Sequence, residues 1–219
     1  MTTLTTISKF VDTFSIFLNS QLCPPHDVPI VIGNYNDFRM KFIYYNVEQL
    51  TRQNGIDWIF RIATHPNCVG VWDYSNVNIS VWAKKNISAV HVPPVIPPHF
   101  LSTLRKYREE GQTYDIGFSG YHSPRRNHIM KCLGDIGYKI NYVYEIYGEE
   151  RDKELAKCKI LLNIHAFPDY NVFENARCEP WLAIGVPIIS ENSLDNDPRC
   201  INVDYDQIVP QTIEFLRSM

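Results

Sequence analysis

Ser123-Pro124-Arg125-Arg126 has the makings of an anion site. Serine is a favoured N-cap, and proline is a favoured first helical residue. A helix that starts there presents unbonded N–H groups and a positive dipole end. An arginine beside it can neutralise charge building on a leaving diphosphate. The plainer reading is a capped helix with exposed arginines. Tyr147-Gly148 can seat a nucleobase against main chain, since glycine permits close approach, or can be a simple strand-to-helix turn. Asn163 and His165 close an apolar run and need partners if buried, so His165 reads as a ligand contact or as a satisfied core histidine. Glu174 and Arg177 stand one helical turn apart and can pair. Glu191 ends another apolar run, where it can serve a ligand or cap a turn. Earlier in the chain, Glu48 and Asp73 follow apolar runs of their own. A carboxylate so placed can take the proton of an acceptor hydroxyl. Asp73 is the preferred base, because a short side chain behind Trp72 is held rigidly. Otherwise Asp73 caps the next helix and Glu48 is a surface acid.

These residues sit at the ends of elements that the pattern makes legible. Apolar runs at 116–119, 140–146, 160–164 and 187–190 alternate with three helical patterns. Alternation at this pace predicts right-handed βαβ units and a parallel sheet. Ligands of such sheets bind beyond the carboxyl ends of the strands, where Gly120 to Arg126, Tyr147, Gly148, Asn163, His165 and Glu191 fall. The first half repeats the theme. Strands are expected at 28–33, 41–46, 69–72 and 89–92, a turn at 34–37, and helices through Trp58, Ile59 and Ile62 and through Val77, Val81 and Trp82. Leu4, Ile7, Val11, Phe14 and Leu18 recur at helical spacing and predict an amphipathic first helix. The link between the first two strands is short for a parallel crossover, which needs roughly a dozen residues. Pro93-Pro94-Val-Ile-Pro97-Pro98 favours a stiff, extended linker. The expected architecture is α/β, with two Rossmann-like parallel-sheet lobes facing a cleft, residues 1–95 and 96–219. A charged helix at 99–111, a strand at 200–203 and a helix at 208–219 complete it.

The order of these pieces resembles the donor-binding lobe of GT-B-fold glycosyltransferases. The carrying residues are Gly120 with Arg125 and Arg126, Tyr147-Gly148 with Glu150 to Asp152, Leu162 to His165, Phe173-Glu174 with Arg177, and Ser190-Glu191. Tyr44 to Leu50, Trp72 to Ser75 with Asn78, and Val92-Pro93 extend the resemblance into the first half. It implies a compact GT-B enzyme, residues 1–95 being the acceptor-side lobe and residues 96–219 the nucleotide-sugar lobe. Such an enzyme moves a sugar from a nucleotide-diphosphate sugar to a glycan hydroxyl without metal or other cofactor. Donor-binding residues would be Gly120, Arg125, Arg126, Tyr147, Gly148, Asn163, His165, Glu174, Arg177 and Glu191. The resemblance gives Glu174 the ribose hydroxyls. Many retaining members carry a second glutamate eight positions on; here that residue is Leu182, which favours inversion. The alternative is a catalytically inactive module that binds a nucleotide sugar or a glycan.

Composition trims the other classes. A net charge of −3 argues against a nucleic-acid partner, which normally shows a basic face. Six scattered cysteines without a Cys-x-x-Cys pair give no zinc or redox motif and suit the cytoplasm. The first residues are amphipathic rather than a signal peptide or a membrane span. Asp195-Asn-Asp197 and Asp204-Tyr-Asp206 match an Asp-x-Asp metal motif, but they follow the whole nucleotide-binding pattern and read as turns. No Gly-x-Gly-x-x-Gly or Walker loop is present.

Overall fold

The computed structural model describes residues 28–34 and 38–219. The amphipathic pattern from Leu4 to Leu18, Cys23 and most of the 34–37 turn lie outside the described residues. The first sheet is built from β1 (Ile30–Ile32), β2 (Phe42–Asn46), β3 (Cys68–Asp73) and β4 (Ala89–His91), with α1 (Asp57–Ala63) and α2 (Asn76–Lys84) between strands. Next, α3 (Pro98–Glu109) leads to β5 (Tyr114–Ser119), α4 (Pro124–Asp135), β6 (Ile140–Val143) and α5 (Gly148–Ala156). The chain continues through β7 (Cys158–Asn163), α6 (Asn175–Leu182), β8 (Ile188–Glu191), β9 (Ile201–Val203) and α7 (Ile208–Ser218). The sheets have the orders β1-β2-β3-β4 and β6-β5-β7-β8-β9. Every pairing is parallel. The protein is therefore an α/β protein with two Rossmann-like parallel sheets.

Burial explains why the strands read as unbroken apolar runs. All five residues of β2 are buried, as expected where helices cover both faces. In β7 the period of two shows directly: Leu161 joins one core cluster, while Ile160 and Leu162 join the other. Gly117 in β5 is required by crowding, since a Cβ there would meet Cys158 Sγ and Leu161 Cδ2 at 2.6 Å. The short link after β1 does not prevent parallel pairing, with Ile30 opposite Ile43 and Ile32 opposite Tyr45.

Two expectations change. β6 stops at Val143 instead of running to Ile146, because Glu145 takes a left-handed φ of 56° that ends the extended chain. Residues 144–147 are therefore a loop with exposed Tyr144, Ile146 and Tyr147. The ground between the two sheets, expected to be a cleft, is partly filled. Val172 from the second half is fully buried in a cluster with Ile32, Tyr45 and Tyr74 of the first. Its N–H donates to Gln49 Oε1 at 2.9 Å. Asp195 joins the halves again, accepting from Ser75 Oγ at 3.0 Å and from the Phe173 N–H at 2.7 Å.

Candidate functional site

The Ser123-Pro124 start works locally as the sequence suggests. Ser123 Oγ accepts the Arg126 N–H at 3.3 Å, and Pro124 opens α4. The two arginines then part company. Arg126 is buried with Ile129, Met130 and Leu133 on the inner face of α4. Its Nε donates to the Ile164 carbonyl at 2.9 Å and its Nη1 to the Tyr121 carbonyl at 3.2 Å. Its Nη2 lies 3.3 Å from Glu174 Oε1. Burial, then the neighbouring Arg177 charge, pulls its pKa down to about 10. Arg125 stays partly exposed, stacks 3.8 Å above the Tyr205 ring and pairs with Glu191.

Glu174, at the N-terminus of α6, binds Arg126 through one oxygen and Arg177 through the other. Both guanidinium groups lie over Phe118, at 4.9 and 5.1 Å from its centre. Arg177 Nη1 donates to Asn163 Oδ1 at 3.2 Å, and Asn163 Nδ2 donates to Ser190 Oγ at 3.0 Å. Glu191 accepts the His165 N–H at 3.0 Å through the oxygen that Arg125 does not use. Burial raises the Glu191 pKa, with Arg125 opposing. Arg125, Arg126, Asn163, His165, Glu174, Arg177 and Glu191 thus form linked polar chains at the carboxyl ends of β7 and β8 and the start of α4. Three arginines face two carboxylates, which leaves one positive charge over.

His165 is buried as well. Its Nε2 lies 3.3 Å from the Asn192 carbonyl, and its Nδ1 is buried without a partner. Burial lowers its pKa, against the pull of Glu174. The unfolded chain therefore holds this proton more tightly. His165 stabilises the fold fully above the ordinary histidine pKa of about 6.5, and that contribution declines as pH falls below it. Urea midpoints between acid and neutral pH should fall toward acid. His165→Asn should flatten the dependence, and an unaltered slope would mean that His165 charges freely inside the fold.

Gly120 has φ of 156°, and a Cβ there would come within 3.2 Å of Arg126 Nη1 and 3.1 Å of Phe118, so glycine keeps the arginine seated. Tyr147 is the N-cap and Gly148 the first residue of α5, and they make none of the bonds just described. Gly148 has a left-handed φ of 57° with open space around it, and Tyr147 is exposed.

Asp73 is in a different situation from a free base. It is fully buried at the end of β3. Oδ1 accepts from the Ser75 N–H at 2.9 Å and Asn78 Nδ2 at 3.0 Å. Oδ2 accepts from Asn46 Nδ2 and Trp82 Nε1, both at 2.7 Å. Four donors occupy the carboxylate, and no hydroxyl reaches it from solvent; Ser75 is the cap of α2. Glu48 is partly exposed, with its carboxylate 3.4 Å from Arg52 Nη2. Burial, then Glu174 and other nearby acids including Glu48, raises the Tyr74 hydroxyl pKa.

Several residues at the seam between the halves carry no motif. Tyr121 and Phe167 are each 42% exposed, with ring centres 6.2 Å apart. Phe167 meets Tyr170 at 5.1 Å, and Arg52 Nη1 donates to the Tyr170 hydroxyl at 2.7 Å. Their signal in the sequence is position alone, as aromatics within a few residues of a strand's carboxyl end. The Asp-x-Asp carboxylates are structural: Asp195 bridges the halves, Asp197 pairs with Arg199, and Asp204 accepts from Asn192.

Fold and site together define a parallel α/β protein with an arginine–carboxylate cluster at strand ends. Uncharacterized protein R358 of Acanthamoeba polyphaga mimivirus is 32% identical over 204 residues, which cover 89% of this chain and 69% of the relative. The chain belongs to the family of that protein. Uncharacterized proteins L140 and L137 of the same virus are each 32% identical, over 81% and 79% of this chain. The chain spans 60% of the length of L140 and 24% of that of L137. No protein-family model matches the chain. Among the described residues, no helix is long and apolar enough to cross a membrane.

Proposed function

We propose that the chain is a compact GT-B-like glycosyltransferase that moves a sugar from a nucleotide-diphosphate sugar to a glycan hydroxyl. The observation that carries this reading is the surplus guanidinium at the carboxyl ends of the second sheet, beside the N-terminus of α4. A diphosphate is the ligand whose charge suits that surplus and those N–H groups. Arg125, the more exposed arginine of the pair, meets the diphosphate. Arg126 holds Glu174 in place for the ribose hydroxyls. The nucleobase lies toward Tyr147 and Gly148. In an inverting displacement the acceptor oxygen bonds to the anomeric carbon, the bond to the diphosphate oxygen breaks, and the acceptor proton passes to a carboxylate. With Asp73 saturated, that role falls to Glu48, which needs only to leave Arg52.

A thermal-shift screen with UDP, GDP, CDP and dTDP tests the reading, since a ligand that binds only the folded state raises its melting temperature. One of the four should do so. Arg125→Ala should then weaken that binding roughly tenfold, the scale of one charged hydrogen bond, with some loss of stability because Glu191 is left buried with only the His165 N–H. Donor hydrolysis and transfer should persist in EDTA. If none of the four binds, the assignment fails.

The filled seam and the saturated Asp73 favour a second reading, a binding module without catalysis. Donor hydrolysis by the pure protein separates the two readings.

A further inference from the structure

We infer that the ring row Tyr121–Phe167–Tyr170, closed by Arg52 and Glu48, is a stacking platform for a neutral, extended oligosaccharide. This deepens the transferase reading by naming the acceptor, and it rests on that reading only for calling the sugar an acceptor.

The row is anchored through its main chain and through the Tyr170 hydroxyl. The Tyr121 carbonyl accepts from Arg126 Nη1 at 3.2 Å and from the Tyr142 hydroxyl at 3.0 Å. The Tyr170 N–H donates to the Phe167 carbonyl at 3.1 Å, and the Tyr170 hydroxyl is held by Arg52. Successive centres at 6.2 and 5.1 Å, with planes turned by 43° and 67°, make a stepped row from the end of β5 toward Arg52 of the first half. Tyr121 and Phe167 offer exposed aromatic surface on which a ligand can stack, and Tyr170 is partly exposed beside them.

The rim decides what stacks there. Arg52 lies 5.4 Å from the Tyr170 centre and 3.4 Å from Glu48. Asp169 accepts the Gln53 N–H at 3.1 Å beside them. At the other end Arg126 lies 5.1 Å from the Tyr121 centre, so two guanidinium groups face two carboxylates and the rim has no surplus positive charge to hold a phosphate backbone. A single-stranded nucleic acid needs rings together with a positive groove, and the chain as a whole carries −3. A sugar chain offers apolar C–H faces to the rings, and its hydroxyls donate to the carboxylates and accept from the guanidinium. The row spans three rings, so several linked sugars fit it better than one.

The test is calorimetry and two-dimensional NMR titration of the full chain with neutral hexasaccharides of glucose, mannose, galactose and N-acetylglucosamine. Oligouridylate and UDP are run in parallel. At least one hexasaccharide should bind, more tightly than its monosaccharide, with the largest shifts around residues 121, 167 and 170. Phe167→Ala and Tyr121→Ala should each weaken that binding about tenfold, while the UDP response and melting temperature stay as in wild type. No binding of any hexasaccharide, unchanged binding by both ring variants, or preference for oligouridylate would each overturn the inference. If UDP binds and the sugars do not, the inference fails and the transferase reading stands. If the sugars bind and none of the four nucleotides does, the platform stands and the transferase reading falls.

Discussion

Asp73→Ala should lower the unfolding free energy by roughly 3–5 kcal/mol, a large share of the stability of an ordinary domain. The carboxylate is fully buried and takes four hydrogen bonds, from Ser75, Asn78, Asn46 and Trp82. Removing it strands the Ser75 N–H and the Trp82 Nε1–H and leaves the Asn46 and Asn78 amides only the Glu48 carbonyl, each lost bond costing about 1–3 kcal/mol before the surroundings relax. Asn78 also reaches the Glu48 carbonyl and accepts the Leu50 N–H. Loss of the hub therefore loosens the segment that carries Glu48. Asp73→Asn should be nearly as harmful, because its amide turns a donor toward donors. Urea unfolding of both variants measures the effect. A variant within about 1 kcal/mol of wild type that still loses transfer would return Asp73 to the role of base.

Much of this was open to reading in the chain, and the gap has a physical cause. Parallel strands covered on both faces are apolar without interruption, so their positions stand out. The ends of β5, β7 and β8 were located to within a residue or so, and seven of the named polar residues do link there. Burial of a polar side chain is harder to foresee, because it depends on donors from distant elements. Asn46, Asn78 and Trp82 converge on Asp73 only after β2 and α2 pack against β3. One signal was there to be used. Arg126, Ile129, Met130 and Leu133 stand at helical spacing, which puts Arg126 on the inner face and Arg125 off it. The filled seam had no such signal, since Val172 lies in a loop and its partners come from the other half of the chain.

That difference between neighbouring arginines gives the second large effect. Arg126→Met keeps an unbranched apolar stem as far as the ε position but removes the guanidinium over Phe118 and every donor. The Ile164 and Tyr121 carbonyls lose their guanidinium bonds, and Glu174 keeps only Arg177. Breaking a buried charged network from one side costs roughly 3–5 kcal/mol. Glu174 is a fifth exposed, so solvent recovers part of its share and the lower end is expected. Arg126→Lys should recover little, because one ammonium cannot match a planar fork that serves three acceptors in different directions. The variant should also bind nucleoside diphosphate worse than Arg125→Ala does, since Glu174 and the Ile164–His165 segment depend on the buried arginine for their setting. Denaturant titration and calorimetry on the three variants separate the contributions. If Arg126→Met is as stable as wild type and loses only ligand affinity, then Arg126 meets the ligand directly and its burial is relieved on binding.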